Sequence, residues 1–389
     1  MSIHLVLADD WELRGNGSGD PFAIQFNTAR RLMDIYDTFA LKGTFNVEIM
    51  QQLYHGMHSN SYPELKEIYD EWENVVKEMY TRGHDVQLHI HPQWINAEYL
   101  NGEWLLSSDW DLTNYPRDII KKLVSGGIGY LEGVLKPLDN NYKCVSYRGG
   151  AWVFAPNRDI VEILAESGIK FDMSIVKGLY VTSPVSIDYR CVEEGIYPYY
   201  PMSSDARRVG CGVSSLVCIP THRMYSRPEL RALILKSMLK FVKNRKLTDA
   251  ILSFVPGSAI SIVNSGCRNK NSGLDGNKPG KRKALHGAKS RVNYFLKKTT
   301  KISDISSLSY FECKKAVEDI RRKAKKYSGE HCPFVFACHT KNIGNFKALE
   351  RLARYLSKAE DIEVITATQM SNNINSGLYK IKTNSKFQG

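Results

Sequence analysis

The sequence lacks any long apolar run. No stretch approaches the roughly 18 apolar residues that a membrane-spanning helix requires. The opening stretch MSIHLVLADDWELRG has no basic start, and its apolar core is too short for a signal peptide. The 389 residues are 43% hydrophobic and 24% charged, which is typical of a soluble globular protein. A chain of this length can form one large α/β domain with insertions, or two domains.

Cysteine motifs are also missing. The eight cysteines are scattered and contain no C-x-x-C pair. Several lie in apolar runs such as SLVCIP and FVFACH. We therefore expect reduced core cysteines in a cytoplasmic protein rather than a disulfide framework.

Positive charge is concentrated in one segment. The net charge is +12, and residues 268–301 contain eleven lysines and arginines but a single acid, Asp275. Only Tyr294 and Phe295 add aromatic rings there, so no nucleic-acid partner is predicted. Such a loop would suit a phosphate-bearing carrier or peripheral contact with an anionic membrane, and a solubilising loop is the alternative.

Short apolar runs alternate with helical patterns along most of the chain. Runs such as IHLVLA, GTFNVE and DVQLHIH read as strands. Helices are predicted at about 21–40, 62–82, 116–136, 157–168, 227–244, 309–327 and 345–358. Strands that alternate with helices at this spacing indicate parallel β/α units, and five or more such units close naturally into a barrel. The fold class predicted is therefore α/β, a distorted (β/α) barrel with an inserted β-rich and basic loop region.

The composition and pattern along the chain also predict domain boundaries. The barrel is assigned to residues 1–177 and 330–372, the insertion to 178–329 with a basic loop at 264–301, and a polar tail to 373–389. The insertion begins with short β-like runs and turns.

Polar side chains gather where the predicted strands end. In barrel order they are Asp9, Asp10 and Glu12, then His89 and His91, then Arg148, then Asp172 and Ser174, and finally His339 and Lys341. The carboxyl ends of parallel strands meet at one mouth, so these groups are expected to converge there. In the third strand, His89 and His91 alternate with Leu88 and Ile90 and so share one face, where they could bind one ion.

The ordered segments ADDWE, GHDVQLHIHPQW, SYRGGAW, FDMS and FACHTK resemble the polysaccharide deacetylase (NodB-like) family, the family-four carbohydrate esterases. The resemblance covers roughly residues 3–175 and 330–370. It implies a distorted barrel, a divalent metal that is usually zinc, and removal of N-acyl groups from sugars. Within this family, the sequence looks like the divergent members that act in bacterial surface-polysaccharide biosynthesis.

The resemblance also implies roles for individual residues. Asp9 would be the general base, Asp10 and His89 metal ligands, Arg148 the partner of the base, His339 the general acid, and Asp172 the residue that orients His339. The family's second metal histidine falls four residues after the first, at a position that is Gln93 here. Glutamine is a poor zinc ligand, so His91 is expected to serve as the second metal histidine in place of residue 93.

The expected substrate is an N-acylated amino sugar, carried by a nucleotide or a lipid. Trp11, Trp94 and Trp152 lie near the motifs and are predicted to contact it. Two alternatives remain open at this stage. One is a non-catalytic carbohydrate-binding relative that has lost the metal, and the other is a hydrolase of a non-sugar C–N bond.

Overall fold

The computed structural model describes residues 2–212, 214–226 and 299–384. The helix predicted at 227–244 and all but the last residues of the predicted basic loop (264–301) lie outside the described residues. Each of the following strands and helices lies within these ranges.

The strands are, in chain order, β1 (Ser2–Trp11), β2 (Thr44–Glu48), β3 (Asp85–Ile90), β4 (Glu98–Leu100), β5 (Glu103–Leu105), β6 (Ser146–Gly149), β7 (Phe171–Asp172), β8 (Tyr180–Val181), β9 (Ile187–Asp188), β10 (Pro201–Met202), β11 (Asp205–Val209), β12 (Val217–Cys218), β13 (Arg223–Ser226), β14 (Thr299–Ile302), β15 (His331–Cys338) and β16 (Ile362–Val364). Eight of them form one sheet in the order β12-β7-β6-β3-β2-β1-β15, with β16 also paired to β1.

Every pairing in this sheet is parallel. A parallel bridge between Thr221, just after β12, and Val335 of β15 joins the two ends of the row. A second bridge sets Asp304 beside Ala337 of β15. The sheet therefore curls into an irregular ring, and the predicted distorted (β/α) barrel is confirmed.

The α-helices of the described residues are α1 (Asn27–Thr38), α2 (Ile49–His58), α3 (Pro63–Thr81), α4 (Arg117–Leu135), α5 (Arg158–Glu166), α6 (Tyr310–Ala324), α7 (Phe346–Leu356) and α8 (Ala367–Asn375). Neither α2 nor α8 is among the predicted helices. Glu48 starts α2 by accepting hydrogen bonds from the amides of Met50 and Gln51. A capping box between Thr366 and Gln369 starts α8.

Side-chain alternation along β1 decides which groups reach the barrel mouth. Leu5, Leu7 and Trp11 belong to the core between the sheet and the helices. Val6 and Ala8 belong to the core inside the barrel. Because side chains alternate along a strand, the inner row that starts with Val6 and Ala8 continues upward to the position of Asp10.

The region between β7 and β12 carries two antiparallel pairs, β8–β9 and β10–β11. The expected insertion (178–329) contains these pairs, and it also contains β12, which belongs to the barrel sheet. The predicted polar tail begins inside α8 and includes Tyr379, which is 4% exposed and whose hydroxyl lies 2.7 Å from Nδ1 of His4 at the foot of β1. Within the described ranges no helix is long and apolar enough to span a bilayer, and the cysteines there form no disulfide.

Acidification is expected to destabilise the protein through His222. This side chain is buried against Phe336, with Nδ1 2.7 Å from Ser303 Oγ and Nε2 3.1 Å from Asp319 Oδ2. Burial lowers the pKa of His222 to about 4, whereas an unfolded histidine titrates near 6.5. Stability that is fully present above pH 6.5 is therefore lost as the pH falls towards 4, by about 3 kcal/mol.

The measurement is urea unfolding between pH 7.5 and 4.5. His222→Gln should flatten the pH dependence of the unfolding free energy over this range. An unaltered slope in His222→Gln would contradict the assignment, whatever the variant does to stability at pH 7.5.

Candidate active site

A cavity opens at the carboxyl ends of the barrel strands. Its lining residues are Asp10, Glu12, Gly15, His89, His91, Trp110, Gly149, Ala151, Trp152, His339, Lys341 and Asn342. They come from the ends of β1, β3, β6 and β15 and from the loops that follow. The structure thus brings together the predicted residues Asp10, His89, His91, Trp152 and His339, and Arg148 lies directly beneath them through its contact with Asp10.

Three buried groups form a cluster of metal-ligand type, made of Glu12, His89 and His91. Their nearest ligand atoms all lie within 4.8 Å of one another. Glu12 Oε2 is 2.7 Å from His91 Nε2 and 3.8 Å from His89 Nε2. Burial acts to raise the pKa of Glu12, but the charges of His91 and Lys341 outweigh it and hold that pKa well below its usual range. Glu12 therefore presents a carboxylate to the two imidazoles.

Hydrogen bonds at Nδ1 set the orientation of both imidazoles. His89 Nδ1 lies 2.7 Å from the carbonyl oxygen of Arg148, which can only accept, so Nδ1 carries the proton. His91 Nδ1 lies 3.1 Å from Gln93 Oε1. The Gln93 amide nitrogen lies 2.9 Å from the same Nδ1 and 3.4 Å from the carbonyl oxygen of Gly15, so the Gln93 side chain orients the His91 ring through Nδ1. Each Nε2 faces the Glu12 carboxylate, and it is the ring nitrogen that a metal could bind.

Burial lowers the pKa of His91, which favours the neutral form that ligates metals. For His89, burial also acts to lower the pKa, but a hydrogen bond to Glu12 and the charge on Asp10 outweigh it and raise that pKa.

Asp10 is held from three sides. Its Oδ1 accepts a hydrogen bond from the side chain of Asn46 at 2.9 Å, across the register pair of β1 and β2. Its Oδ2 lies 3.5 Å from the Arg148 guanidinium and 3.4 Å from His339 Nε2. Arg148 is fully buried and packs its guanidinium over the Trp152 ring. The arrangement gives a carboxylate of fixed orientation at the cavity wall.

His339 faces Asp10 from the end of β15 and is oriented by Asp304. Its Nδ1 lies 2.9 Å from Asp304 Oδ2, and Asp304 is positioned by its bridge to Ala337. Burial acts to lower the pKa of His339, but the Asp304 carboxylate, helped by Asp10, raises it to about 9. The imidazole is therefore protonated at neutral pH and can donate a proton into the cavity.

Two residues predicted to be catalytic, Asp9 and Asp172, do not line the cavity. Asp9 is on the outer face of β1, where neither carboxylate oxygen has a hydrogen-bond partner, and burial raises its pKa to about 7. Asp172 accepts hydrogen bonds from the hydroxyl and the amide of Ser174 and does not contact His339. Asp304, rather than Asp172, lies beside His339, and Asp10, rather than Asp9, lines the cavity.

Of the three tryptophans predicted to contact the substrate, two are buried in the core and one lines the cavity. Trp11 is completely buried against Phe26 and Trp72. Trp94 is 3% exposed and packs on Trp104. Both are core residues, because the strand and loop that carry them direct the rings away from the mouth. Trp152 lines the cavity as predicted.

Trp110 is a lining residue that the sequence did not indicate. Its ring meets His91 edge-on at 6.1 Å and lies so close to Gly15 that a Cβ there would come within 2.1 Å of it. Glycine at position 15 therefore permits the loop to fold onto the mouth. No periodicity of the sequence indicates Trp110. Glu12 was expected at the mouth, and alternation along β1 could also have indicated it as a metal ligand, since Glu12 and Asp10 both alternate with Trp11.

Comparison with known proteins adds the following. No protein-family model matches the sequence, and no curated protein matches it. Several solved structures were found to be similar. A protein from Mycobacterium smegmatis described as a polysaccharide deacetylase has 14% identity and a TM-score of 0.45, over 100% of this chain and 95% of its own. One from Pseudomonas aeruginosa PAO1 with the same description has 10% identity and a TM-score of 0.45, over 96% and 91%.

An allantoinase structure has 9% identity and a TM-score of 0.46, over 96% of this chain and 90% of its own. Two of these three structures carry the description of the family that the sequence motifs resemble.

Proposed function

We propose that this chain is a metal-dependent amide hydrolase that removes an N-acyl group from an amino sugar. One observation carries the proposal. A single cavity holds a metal-ligand set (Glu12, His89 and His91), a fixed carboxylate (Asp10) and a protonated imidazole (His339). These are the groups that metal-assisted hydrolysis of an amide requires.

The three ligand residues fit a catalytic zinc ion. Two histidines and one glutamate form a recognised ligand set of catalytic zinc, which leaves a fourth position open. The Nε2 atoms of His89 and His91 both point to the Glu12 carboxylate that completes the set. When bound, the ion would polarise the acyl carbonyl and make water a better nucleophile at neutral pH. Gln93 then has the role of orienting His91 rather than of ligating.

Asp10 is assigned the role of general base. Its Oδ2 faces the cavity, and the ion pair with Arg148 holds the group in place. The carboxylate would accept the proton of the attacking water as the bond from oxygen to the acyl carbon forms. Asn46 prevents rotation of the carboxylate through its hydrogen bond to Oδ1.

His339 is assigned the role of general acid. Breaking the C–N bond expels an amine, which is a poor leaving group until its nitrogen is protonated. The Nε2 proton of His339 faces the cavity, and Asp304 stabilises the imidazolium. The products are a free amino group and a carboxylate.

The aromatic lining suits a sugar ring. Trp110 and Trp152 both line the cavity, and aromatic faces pack well against the apolar faces of sugars. We assign the substrate as an N-acylated amino sugar used in bacterial surface-polysaccharide (O-antigen or capsule) biosynthesis, carried by a nucleotide or a lipid. Zinc is the metal that this donor set favours.

Metal content tests the proposal. Purified wild type supplied with zinc should hold about one divalent ion per chain, measured by elemental analysis. Glu12→Ala, His89→Ala and His91→Ala should each lose it, because a three-ligand catalytic site retains little affinity with two. The wild-type protein should release acetate from one or more N-acetylated sugars in a panel of nucleotide- and lipid-linked substrates.

His58→Ala is the matched control, since His58 lies on α2 and does not line the cavity. It should keep both metal and activity. A wild-type protein that remains metal-free after zinc is supplied would overturn the hydrolase proposal and leave a sugar-binding barrel.

A further inference from the structure

A lysine lies beside the metal-ligand cluster. Lys341 follows β15 in a short 3-10 turn, and its ammonium lies 2.7 Å from Glu12 Oε1. It also donates to the carbonyl oxygen of Leu13 at 3.2 Å, which ties the end of β15 to the end of β1. The side chain is only 13% exposed, so the ion pair is poorly screened by solvent.

Each carboxylate of the site already has a cation of its own. Asp10 faces Arg148, Asp304 faces His339, and Glu12 faces Lys341. With the two ligand imidazoles neutral, the described charges of the site sum to zero before any metal enters. Affinity for a divalent cation rises with the number of charged ligands and so with the excess negative charge of the site. This site offers none.

We propose that Lys341 is a built-in counter-ion that competes with the divalent metal for Glu12 and sets a low affinity for it. The inference rests on the metal site of the proposed function and goes beyond it. One carboxylate oxygen, Oε2, faces the imidazoles while the other is occupied by the ammonium. The bound ion would meet a ligand whose charge is already neutralised, together with the repulsion of a nearby cation.

Lys341 has two opposing effects on the affinity of the site for a metal. Hydrogen bonds from outer groups generally raise metal affinity by fixing the ligand. Glu12, however, is 5% exposed and lies at the end of a paired strand between His91 and Lys341, so it is confined without that bond. The charge effect acts across a buried site of low dielectric, where a unit charge near a divalent ion is strongly felt. Removal of the charge should therefore tighten binding.

The experiment measures zinc affinity by competition with a chromophoric chelator, using the full chain. Lys341→Met removes the charge at similar length, and Lys341→Gln removes it while keeping a hydrogen-bond donor. Both should bind zinc at least about tenfold more tightly than wild type. Lys341→Arg keeps the charge and should match wild type, as should Lys347→Met, which changes an exposed lysine on α7.

The outcomes separate this inference from the proposed function. Equal or weaker binding in both charge-removing variants, or tighter binding in Lys341→Arg, would overturn the inference while leaving a zinc-binding wild type intact. Zinc binding by Lys341→Met but not by wild type would support the inference and overturn metal-dependent hydrolysis by the natural chain. Absence of zinc from every variant would overturn both.

Discussion

Replacement of Asp10 by asparagine should lower kcat for amide hydrolysis by about 10²- to 10⁴-fold, the usual contribution of a general base. The amide keeps the shape and the hydrogen bond to Asn46 but cannot take the proton of water. KM should change little, because Asp10 acts on the attacking water rather than on the sugar. The measurement is acetate release under saturating substrate, with zinc content confirmed in the same samples.

Asp9→Asn is the matched comparison, one residue away on the opposite face of β1. Asp9 is 1% exposed, and neither of its carboxylate oxygens is hydrogen-bonded. A neutral asparagine there should leave kcat within a few-fold of wild type and should not reduce stability. The reverse result, with Asp9→Asn inactive and Asp10→Asn active, would restore the role that the family resemblance implies and contradict the geometry.

Glycine-to-alanine changes should have opposite effects at two positions. At Gly149, an added Cβ would lie 2.1 Å from the carbonyl oxygen of Val153. Because the obstacle is backbone, it cannot rotate away, and Gly149→Ala should cost about 3 kcal/mol or more of unfolding free energy. The same shift would displace the strand end that carries Arg148, so activity should fall with stability.

Gly126 lies in α4 on an exposed face, with no atom within 4 Å of an added Cβ. Gly126→Ala should stabilise the protein by about 0.5–1 kcal/mol, because alanine loses less backbone entropy in a helix. Urea unfolding of both variants checks the pair. Similar stability changes of the same sign would show that the close approach at Gly149 is not as described.

The sequence predicted the barrel because the signal for parallel β/α units is local and repeated. Strand β3 shows this best, since its alternation placed His89 and His91 on one face, and the structure has them 4.7 Å apart, ring to ring. The same rule applied to β1 would have selected Asp10 and Glu12 instead of Asp9 and Asp10. The adjacent pair of aspartates matched a family motif, and the motif outweighed the alternation.

Other parts of the site have no local signature. Asp304 precedes α6 by several residues and reaches His339 only through its bridge to β15. Trp110 reaches the mouth because its loop folds over Gly15. Helix α2 was missed because its start depends on Glu48, a strand residue whose side chain turns back to cap it. Each of these depends on contacts between distant segments, which spacing along a sequence does not encode.

The pairing of β1 has a consequence for synthesis of the chain. The first strand finds its partner β2 within the first fifty residues, but its other edge pairs with β15, which ends at Cys338. At ordinary translation speeds a ribosome needs on the order of tens of seconds to make the intervening chain. During that interval the nascent protein exposes an unpaired, apolar strand edge, which is a template for association with other chains. Chaperone binding to the N-terminal strand should therefore persist until the last part of the barrel has emerged.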